Sequence, residues 1–215
     1  MRVDLSCRMS RVSRRVLVLL ISLLFVPAVL FAETRAYRIE PSPDSRFALE
    51  VYKTGLMNGK KHLLVFERYQ GRIEYDAANP AQSRVELTIQ SASLSVQDDW
   101  VNENERKKIA DEALNKQLIV EQHPELKFHS GSIRPADAPG HYEVQGELTI
   151  RNLARPVIVQ VTMSEPREGV LLFEGDATVE MKDYGLKPPS AALGLIGTKN
   201  EMKVIFQLHA VPAGP

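Results

Sequence analysis

The chain has 215 residues, 44% of them hydrophobic and 25% charged, a composition typical of one globular domain. Its 27 basic and 27 acidic residues balance, and no basic cluster follows the first fifteen residues, which argues against a nucleic-acid-binding protein. Cys7 is the only cysteine and lies near the N-terminus, so the rest of the chain cannot form a disulfide or use thiol chemistry.

Residues 1–32 are predicted to be a secretory signal peptide. Five arginines within residues 1–15 precede an uncharged apolar run at residues 16–31. An export signal has this order and length, whereas a comfortable membrane span is longer. We expect cleavage after Ala32 and one exported domain at residues 33–215. An uncleaved membrane anchor is the alternative. Leu30 would occupy the −3 position of the cleavage site and is bulkier than the small residue usual there.

From Tyr37 onwards, apolar residues recur at every second position, which predicts antiparallel strands with one covered side and one solvent-facing side. Turn signals separate these strands, and Gly71 and Gly175 are predicted to form β-bulges within them. The clearest alternating stretches are FALEV (47–51), RVELTIQ (84–90), YEVQGELTI (142–150), VIVQVTM (157–163) and MKVIFQLHA (202–210).

Residues 102–119 depart from this alternation and show the spacing of a helix with a narrow apolar face. Asn102 and Glu105 have the spacing of a capping box at its start. Asp98 and Asp99 precede the helix, where carboxylates complement the helix dipole, and we prefer that role to calcium binding. The sequence therefore predicts about eight strands and one helix, and such strands form either a closed barrel or a sandwich.

A loop at residues 183–199 differs from both patterns, and we call it the lid segment. It contains two prolines and three glycines, which are too many for a long strand. It also carries more apolar side chains than a solvated loop needs. We expect four of them to cover one end of the barrel: Leu186, Leu193, Leu195 and Ile196.

Residues that could perform catalysis or bind metal are dispersed along the chain. No two of the five histidines lie at the i,i+2 or i,i+4 spacing of metal ligands, and no nucleophile elbow or glycine-rich phosphate loop occurs. We therefore predict no catalytic residue, no metal site and no cofactor, and a binding protein rather than an enzyme. An enzyme would need a His/Asp or Ser/His pair brought together from separate strands.

Four segments of the chain, in order, are similar to the YceI-like domain family. They are YRIEPSPDSRF (37–47), HPELKFHS (123–130), GELTIRNLARPV (146–157) and DYGLKPPSAALGLIGTKNEMKV (183–204). The resemblance implies an all-β fold, an extended eight-stranded lipocalin-like barrel with the helix at residues 102–119 packed across it. It also implies a periplasmic protein whose lumen holds a polyisoprenoid or another amphiphilic lipid.

The chain departs from the family pattern at two places. Met181 and Lys182 stand where the family usually has an arginine, and ADEAL (110–114) replaces an Asp-x-His-Leu pattern near the helix. Contacts to the polar head of a lipid therefore do not carry over from the family. A periplasmic interaction or stress-protection module that acts with an inner-membrane protein partner is the alternative function.

The expected lining of the lumen follows from the strand faces. Plain core packing is the alternative role for every one of these residues, because a barrel filled by its own side chains has the same pattern. The candidates are Leu49, Val51, Leu87, Ile89, Phe128, Val144, Leu148, Val159, Val161, Val204 and Phe206.

Overall fold

The computed structural model describes residues 34–214. The predicted signal peptide, residues 1–32, lies outside the described residues. Within residues 34–214, no helix combines the length and the apolar character needed to cross a membrane.

In the described residues, eleven strands form one antiparallel sheet. In chain order they are β1 (Arg35–Ile39), β2 (Arg46–Gly55), β3 (Lys61–Phe66), β4 (Tyr69–Tyr75), β5 (Arg84–Gln90), β6 (Leu94–Val96), β7 (Glu125–Pro135), β8 (His141–Ile150), β9 (Leu153–Arg167), β10 (Val170–Glu180) and β11 (Ile196–Pro212). Short 3₁₀ turns at Pro80–Gln82, Ser91–Ser93, Met181–Tyr184 and Ala192–Gly194 connect some of them.

Eight of these strands close into a barrel in the order β1, β4, β5, β7, β8, β9, β10 and β11, because β11 pairs back onto β1. The other three lengthen one side of the wall. β2 pairs with β11 beyond the end of β1, β3 pairs with β2, and β6 pairs with β3. The predicted eight-stranded antiparallel barrel is confirmed.

The helical segment begins with α1 (Glu103–Asp111) and continues without a break as a π-helix at Glu112–Leu118. The predicted capping box is present, since the Asn102 side chain accepts from the Glu105 N–H at 3.0 Å and the Glu105 carboxylate accepts from the Asn102 N–H at 3.0 Å. Ile119 ends the segment in the left-handed conformation, with φ of 52°. The prediction of one helix here is confirmed, and the π-helical half is a feature that the sequence pattern does not show.

Gly71 and Gly175 do not form bulges, so that prediction is wrong. Pairing continues without a register shift through both residues. Glycine is needed at position 175 for space, because a Cβ there would lie 2.1 Å from the Gln160 carbonyl oxygen and 2.6 Å from Cζ of Phe206. The register shifts occur instead between Val170 and Leu172, between Ser130 and Ser132, and between Thr198 and Met202.

Within the described residues, the buried apolar side chains of the strands form one hydrophobic core, which continues beneath the helical segment. Phe47 lies at its centre, with the ring of Phe66 at 6.1 Å in an edge-on contact and the ring of Phe206 stacked at 6.4 Å. Ile109 and Leu114 of the helical segment pack against the same core. The helical segment and the strands therefore share one core.

Candidate functional site

Two neighbouring cavities lie within the part of the chain that the structure describes. The barrel chamber has a volume of about 140 Å³ and is bounded by strands β1, β2, β4, β5 and β7 to β11. The helix-side chamber has a volume of about 260 Å³ and lies between β2, β3, β11 and the helical segment. Five side chains border both chambers, so the chambers are neighbours along one lumen. They are Phe47, Ile89, Leu148, Val179 and Val204.

The barrel chamber is almost entirely apolar. Valine, leucine, isoleucine and phenylalanine from alternate strand positions form its wall, as the inward face of each strand requires. Its only side-chain oxygens belong to Tyr75, Ser83 and Tyr142. Burial raises the pKa of Tyr75, so its hydroxyl stays neutral at physiological pH. A hydrocarbon chain is the ligand that such a wall suits.

The helix-side chamber combines an apolar floor with polar groups at one end. Leu64, Leu118 and Leu126 contribute to the floor, and all three are buried. The polar members of its wall come from the three strands β2, β3 and β11 and from the helical segment: Lys53, His62, Thr198, Lys108, Glu112 and Gln117.

Strand alternation explains why polar groups line this chamber. Phe47, Leu49 and Val51 occupy inward positions of β2, and Lys53 is the next residue on that face. Thr198 of β11 lies directly opposite Lys53, and His62 of β3 lies opposite Val51. Three polar side chains therefore follow one another around the inner wall where the apolar series ends.

The His62 imidazole is held in place by three neighbours. Its Nδ1 lies 2.5 Å from Oδ2 of Asp98, whose other oxygen accepts the Leu63 N–H at 2.7 Å. The ring stacks on Trp100 at 5.3 Å between centroids, and the Trp100 indole donates to the Lys61 carbonyl at 2.9 Å. Asp98 is buried, with 3% of its surface exposed. We expected Asp98 to complement the helix dipole, but its carboxylate binds His62 and the Leu63 N–H of β3.

Charge on the remaining polar groups follows from their partners. Burial lowers the pKa of Lys53, and the negative charge of Asp98 partly opposes that effect. Glu112 accepts hydrogen bonds from Lys116 at 2.8 Å and from Gln117 at 3.0 Å, which lower its pKa. The Gln117 amide oxygen also accepts the Lys187 N–H at 3.1 Å and so connects the helical segment to the lid segment.

All eleven strand residues that we expected to line the lumen lie on a chamber wall. Leu49 and Val51 border the helix-side chamber, whereas Ile89, Leu148 and Val204 border both. The barrel chamber takes the other six: Leu87, Phe128, Val144, Val159, Val161 and Phe206. Their contact with a lipid stays a prediction.

The lid segment covers the helix-side chamber with fewer residues than we expected. Leu186 is buried and borders the chamber together with Pro189, whereas Ile196 is half-buried and borders neither chamber. Leu193 and Leu195 lie outside both chambers, with 106% and 60% of their surfaces exposed. The expected covering role of these two leucines is therefore not what the structure shows, because the backbone turns with positive φ at residues 192 and 193 and directs this stretch outwards.

Comparison with known proteins places this geometry in a family. The model of the YceI-like domain family matches residues 37–210. The chain belongs to the YceI-like domain family. A UPF0312 protein of Ectopseudomonas mendocina is 30% identical over 140 residues, covering 61% of this chain and 69% of the relative. A UPF0312 protein of Pseudomonas savastanoi is 28% identical over 130 residues, covering 58% of this chain and 63% of that relative's length.

Solved structures show the same YceI-like fold. BcnA of Burkholderia cenocepacia superimposes with a TM-score of 0.63 at 22% identity, covering 78% of this chain and 96% of BcnA. A polyisoprenoid binding domain from Saccharophagus degradans, implicated in plant cell wall breakdown, superimposes with a TM-score of 0.57 at 11% identity. That match covers 84% of this chain and all of the domain, so the barrel fold is shared along most of the sequence.

Proposed function

We propose that this YceI-like protein is an exported binding protein that holds a long-chain polyisoprenoid or a similar amphiphilic lipid in its lumen, without catalysis. The observation that carries the proposal is the pair of neighbouring chambers, one almost entirely apolar and one with several polar side chains in its wall. An amphiphilic lipid has the same division of character.

The energy of burial is sufficient for retention. Each methylene transferred from water into an apolar wall contributes about 0.8 kcal/mol. A dozen methylenes would contribute roughly 10 kcal/mol before the cost of association, which is enough for micromolar or tighter binding. No catalytic group is needed for this function.

The fold comparison supports a lipid as the ligand, because one structure with this fold is described as a polyisoprenoid binding domain. The side chains support binding rather than catalysis. His62 and Asp98 form the His/Asp pair that an enzyme would need. However, the hydroxyl groups on the chamber walls are those of Ser83, Thr198 and two tyrosines, and the imidazole donates to or accepts from none of them in the described structure.

The basic and apolar order of residues 1–32 supports export to the periplasm. Cell fractionation followed by N-terminal sequencing tests this part of the proposal. We expect a periplasmic form that begins at Glu33. A membrane-bound form that begins at Met1 would instead support an uncleaved anchor.

Organic extraction tests the lipid-binding proposal. The full chain is expressed in its exported form, purified from the periplasm and extracted, and the extract is compared by mass spectrometry with that of a mock purification. We expect one long-chain species in a molar amount similar to that of the protein. An extract identical to the mock, together with failure to bind added isoprenoid lipids, would overturn the proposal and favour a protein-binding module.

A further inference from the structure

The polar end of the helix-side chamber contains more positive than negative charge that is free for a ligand. Asp98 is engaged by His62 and by the Leu63 N–H, and Glu112 is engaged by Lys116 and Gln117. Within residues 34–214, no carboxylate oxygen lies within 4.0 Å of Nζ of Lys53 or of Lys108. The groups left to meet a ligand are therefore donors.

Lys53 is placed where an anion would be bound strongly. It follows Phe47, Leu49 and Val51 on the inward face of β2 and is half-buried beside an apolar floor. A charge in such surroundings interacts more strongly with a partner than it would in water. Burial lowers the pKa of Lys53, and a bound anion would offset that effect by favouring the ammonium form.

The helical part of the chamber wall includes the π-helix Glu112–Leu118, which carries Gln117 and follows Lys108 of α1. Short π-helical turns are rare and are found frequently at functional sites. Half-buried Lys53 of β2 and exposed Lys108 of α1 both border this chamber.

We propose that this end of the chamber binds the acidic head of the lipid, a phosphate or a carboxylate, through Lys53 and Lys108, with the hydrocarbon tail extending past Phe47 into the barrel chamber. The imidazole of His62, fixed by Asp98, supplies a further polar contact at the same wall. This inference rests on the proposed function and adds the chemical class of the lipid.

Matched ligands and matched variants test the inference. The ligands are geranylgeraniol, its monophosphate and the corresponding carboxylic acid, each measured by calorimetric or fluorescence titration. The variants are Lys53→Met and Lys108→Met. Lys107→Met is the control, because Lys107 is the preceding residue of the same helix, pairs with Glu103 at 3.0 Å and does not border the chamber.

We expect the wild-type protein to bind at least one acidic lipid about tenfold more tightly than the alcohol. Lys53→Met and Lys108→Met are expected to reduce this preference, measured for each variant as the ratio of its acid affinity to its alcohol affinity, whereas Lys107→Met keeps it. Equal binding of acid and alcohol, or a preference that neither variant reduces, would overturn the head-group assignment but leave the proposed function standing. If none of the three ligands binds, both proposals fail.

A second surface carries an independent inference. Leu56, in the turn between β2 and β3, is 77% exposed, and Leu193 and Leu195 of the lid segment are 106% and 60% exposed. The Leu56 N–H donates to the Leu195 carbonyl at 3.0 Å, so the two turns form one protruding surface. We call these three residues the leucine tip.

The segments that carry the leucine tip are positively charged. Residues 51–66 and 184–200 contain five lysines and no aspartate or glutamate. Lys53 borders the helix-side chamber and Lys61 pairs with Glu50, which leaves three exposed lysines beside the tip: Lys60, Lys187 and Lys199. Exposed leucines flanked by lysines match the interface of an anionic bilayer, which offers an apolar layer beneath negatively charged head groups.

We infer that the leucine tip docks onto a membrane surface that contains anionic lipids. Leu186 and Pro189 of the same lid segment cover the helix-side chamber, so docking would bring the chamber end next to the bilayer. Vesicle co-sedimentation of the mature protein tests the inference, with phosphatidylcholine alone or with about 30 mol% phosphatidylglycerol added.

We expect binding only to the vesicles that contain phosphatidylglycerol, and its loss in the triple variant Leu56→Ser, Leu193→Ser, Leu195→Ser. Ile158→Ser is the control, because Ile158 is an apolar residue of β9 with 51% exposure outside the tip. Failure to bind the anionic vesicles, or equal binding by the triple variant, would overturn the inference.

Discussion

Nδ1 of His62 and Oδ2 of Asp98 are 2.5 Å apart, and residue 98 reaches this histidine from 36 positions further along the chain. The carboxylate also accepts the Leu63 N–H, while the Asp98 backbone carbonyl accepts from Nε of Arg106. Asp98 therefore connects strand β3 to the start of the helical segment and fixes the imidazole beside the helix-side chamber.

The first prediction concerns this connection. Asp98→Ala removes a buried acceptor and leaves two donors without partners, which costs about 3 kcal/mol in the free energy of unfolding. Urea unfolding of the mature protein measures the effect. Asp137→Ala is the control, since Asp137 lies exposed in the turn between β7 and β8. Equal stability of the two variants would contradict the structural role of Asp98.

The second prediction concerns the close approach at Gly175. Alanine there would place Cβ 2.1 Å from the Gln160 carbonyl oxygen and 2.6 Å from the Phe206 ring, so the wall must shift. We expect Gly175→Ala to lower the free energy of unfolding by about 2 kcal/mol. Gly131→Ala serves for comparison, because its Cβ would meet only the Gln145 oxygen at 3.4 Å. A Gly175→Ala protein with the wild-type urea midpoint would show that the contact is not tight.

The third prediction is a pH dependence that originates at Tyr184. Burial raises the pKa of Tyr184 to about 12, whereas an unfolded tyrosine titrates near pH 10. The folded state therefore holds the phenol proton more strongly, and the resulting stability is fully present below about pH 10 and is lost as the pH rises towards 12.

We expect the free energy of unfolding of the wild type, relative to Tyr184→Phe, to fall by about 2 kcal/mol between about pH 9 and pH 12. Urea unfolding across this range measures the difference, and the other tyrosines cancel because both proteins contain them. A constant difference would mean that the Tyr184 hydroxyl is not buried in the folded protein.

The fourth prediction separates the two parts of the lid segment. Leu186 is buried on the wall of the helix-side chamber, whereas Leu193 is fully exposed. Leu186→Ser is therefore expected to reduce the amount of co-purified lipid severalfold, and Leu193→Ser to leave it unchanged. Lipid extraction from equal amounts of the two folded proteins provides the measurement. The reverse order would restore the covering role first expected for Leu193.

Strand faces were predictable from the sequence because side chains alternate strictly between the two sides of a sheet. Val159 and Val161 of β9, for example, point to the lumen whereas Ile158 between them is exposed. The helix start was equally predictable, since the Asn102–Glu105 cap depends on residues three positions apart. Local patterns of this kind need no knowledge of the tertiary structure.

The polar end of the helix-side chamber could not be predicted in the same way. The His62–Asp98 contact depends on the tertiary packing of β3 against the chain before the helix, which no local sequence pattern indicates. Lys53 did carry a signal, because it continues the inward series Phe47, Leu49 and Val51, and a lysine at the end of an apolar face is unusual. The direction of Leu193 depends on positive φ angles that a leucine rarely adopts.

Native mass spectrometry of two single variants tests the central claim most directly. Val159 borders the barrel chamber and Ile158 faces solvent on the same strand, so Val159→Trp fills the lumen and Ile158→Trp adds the same side chain outside. If the lumen holds the lipid, the Ile158→Trp protein retains the mass of one long-chain lipid per chain, and a folded Val159→Trp protein, verified by its urea midpoint, loses it. Retention of the same lipid by both folded variants would contradict the account.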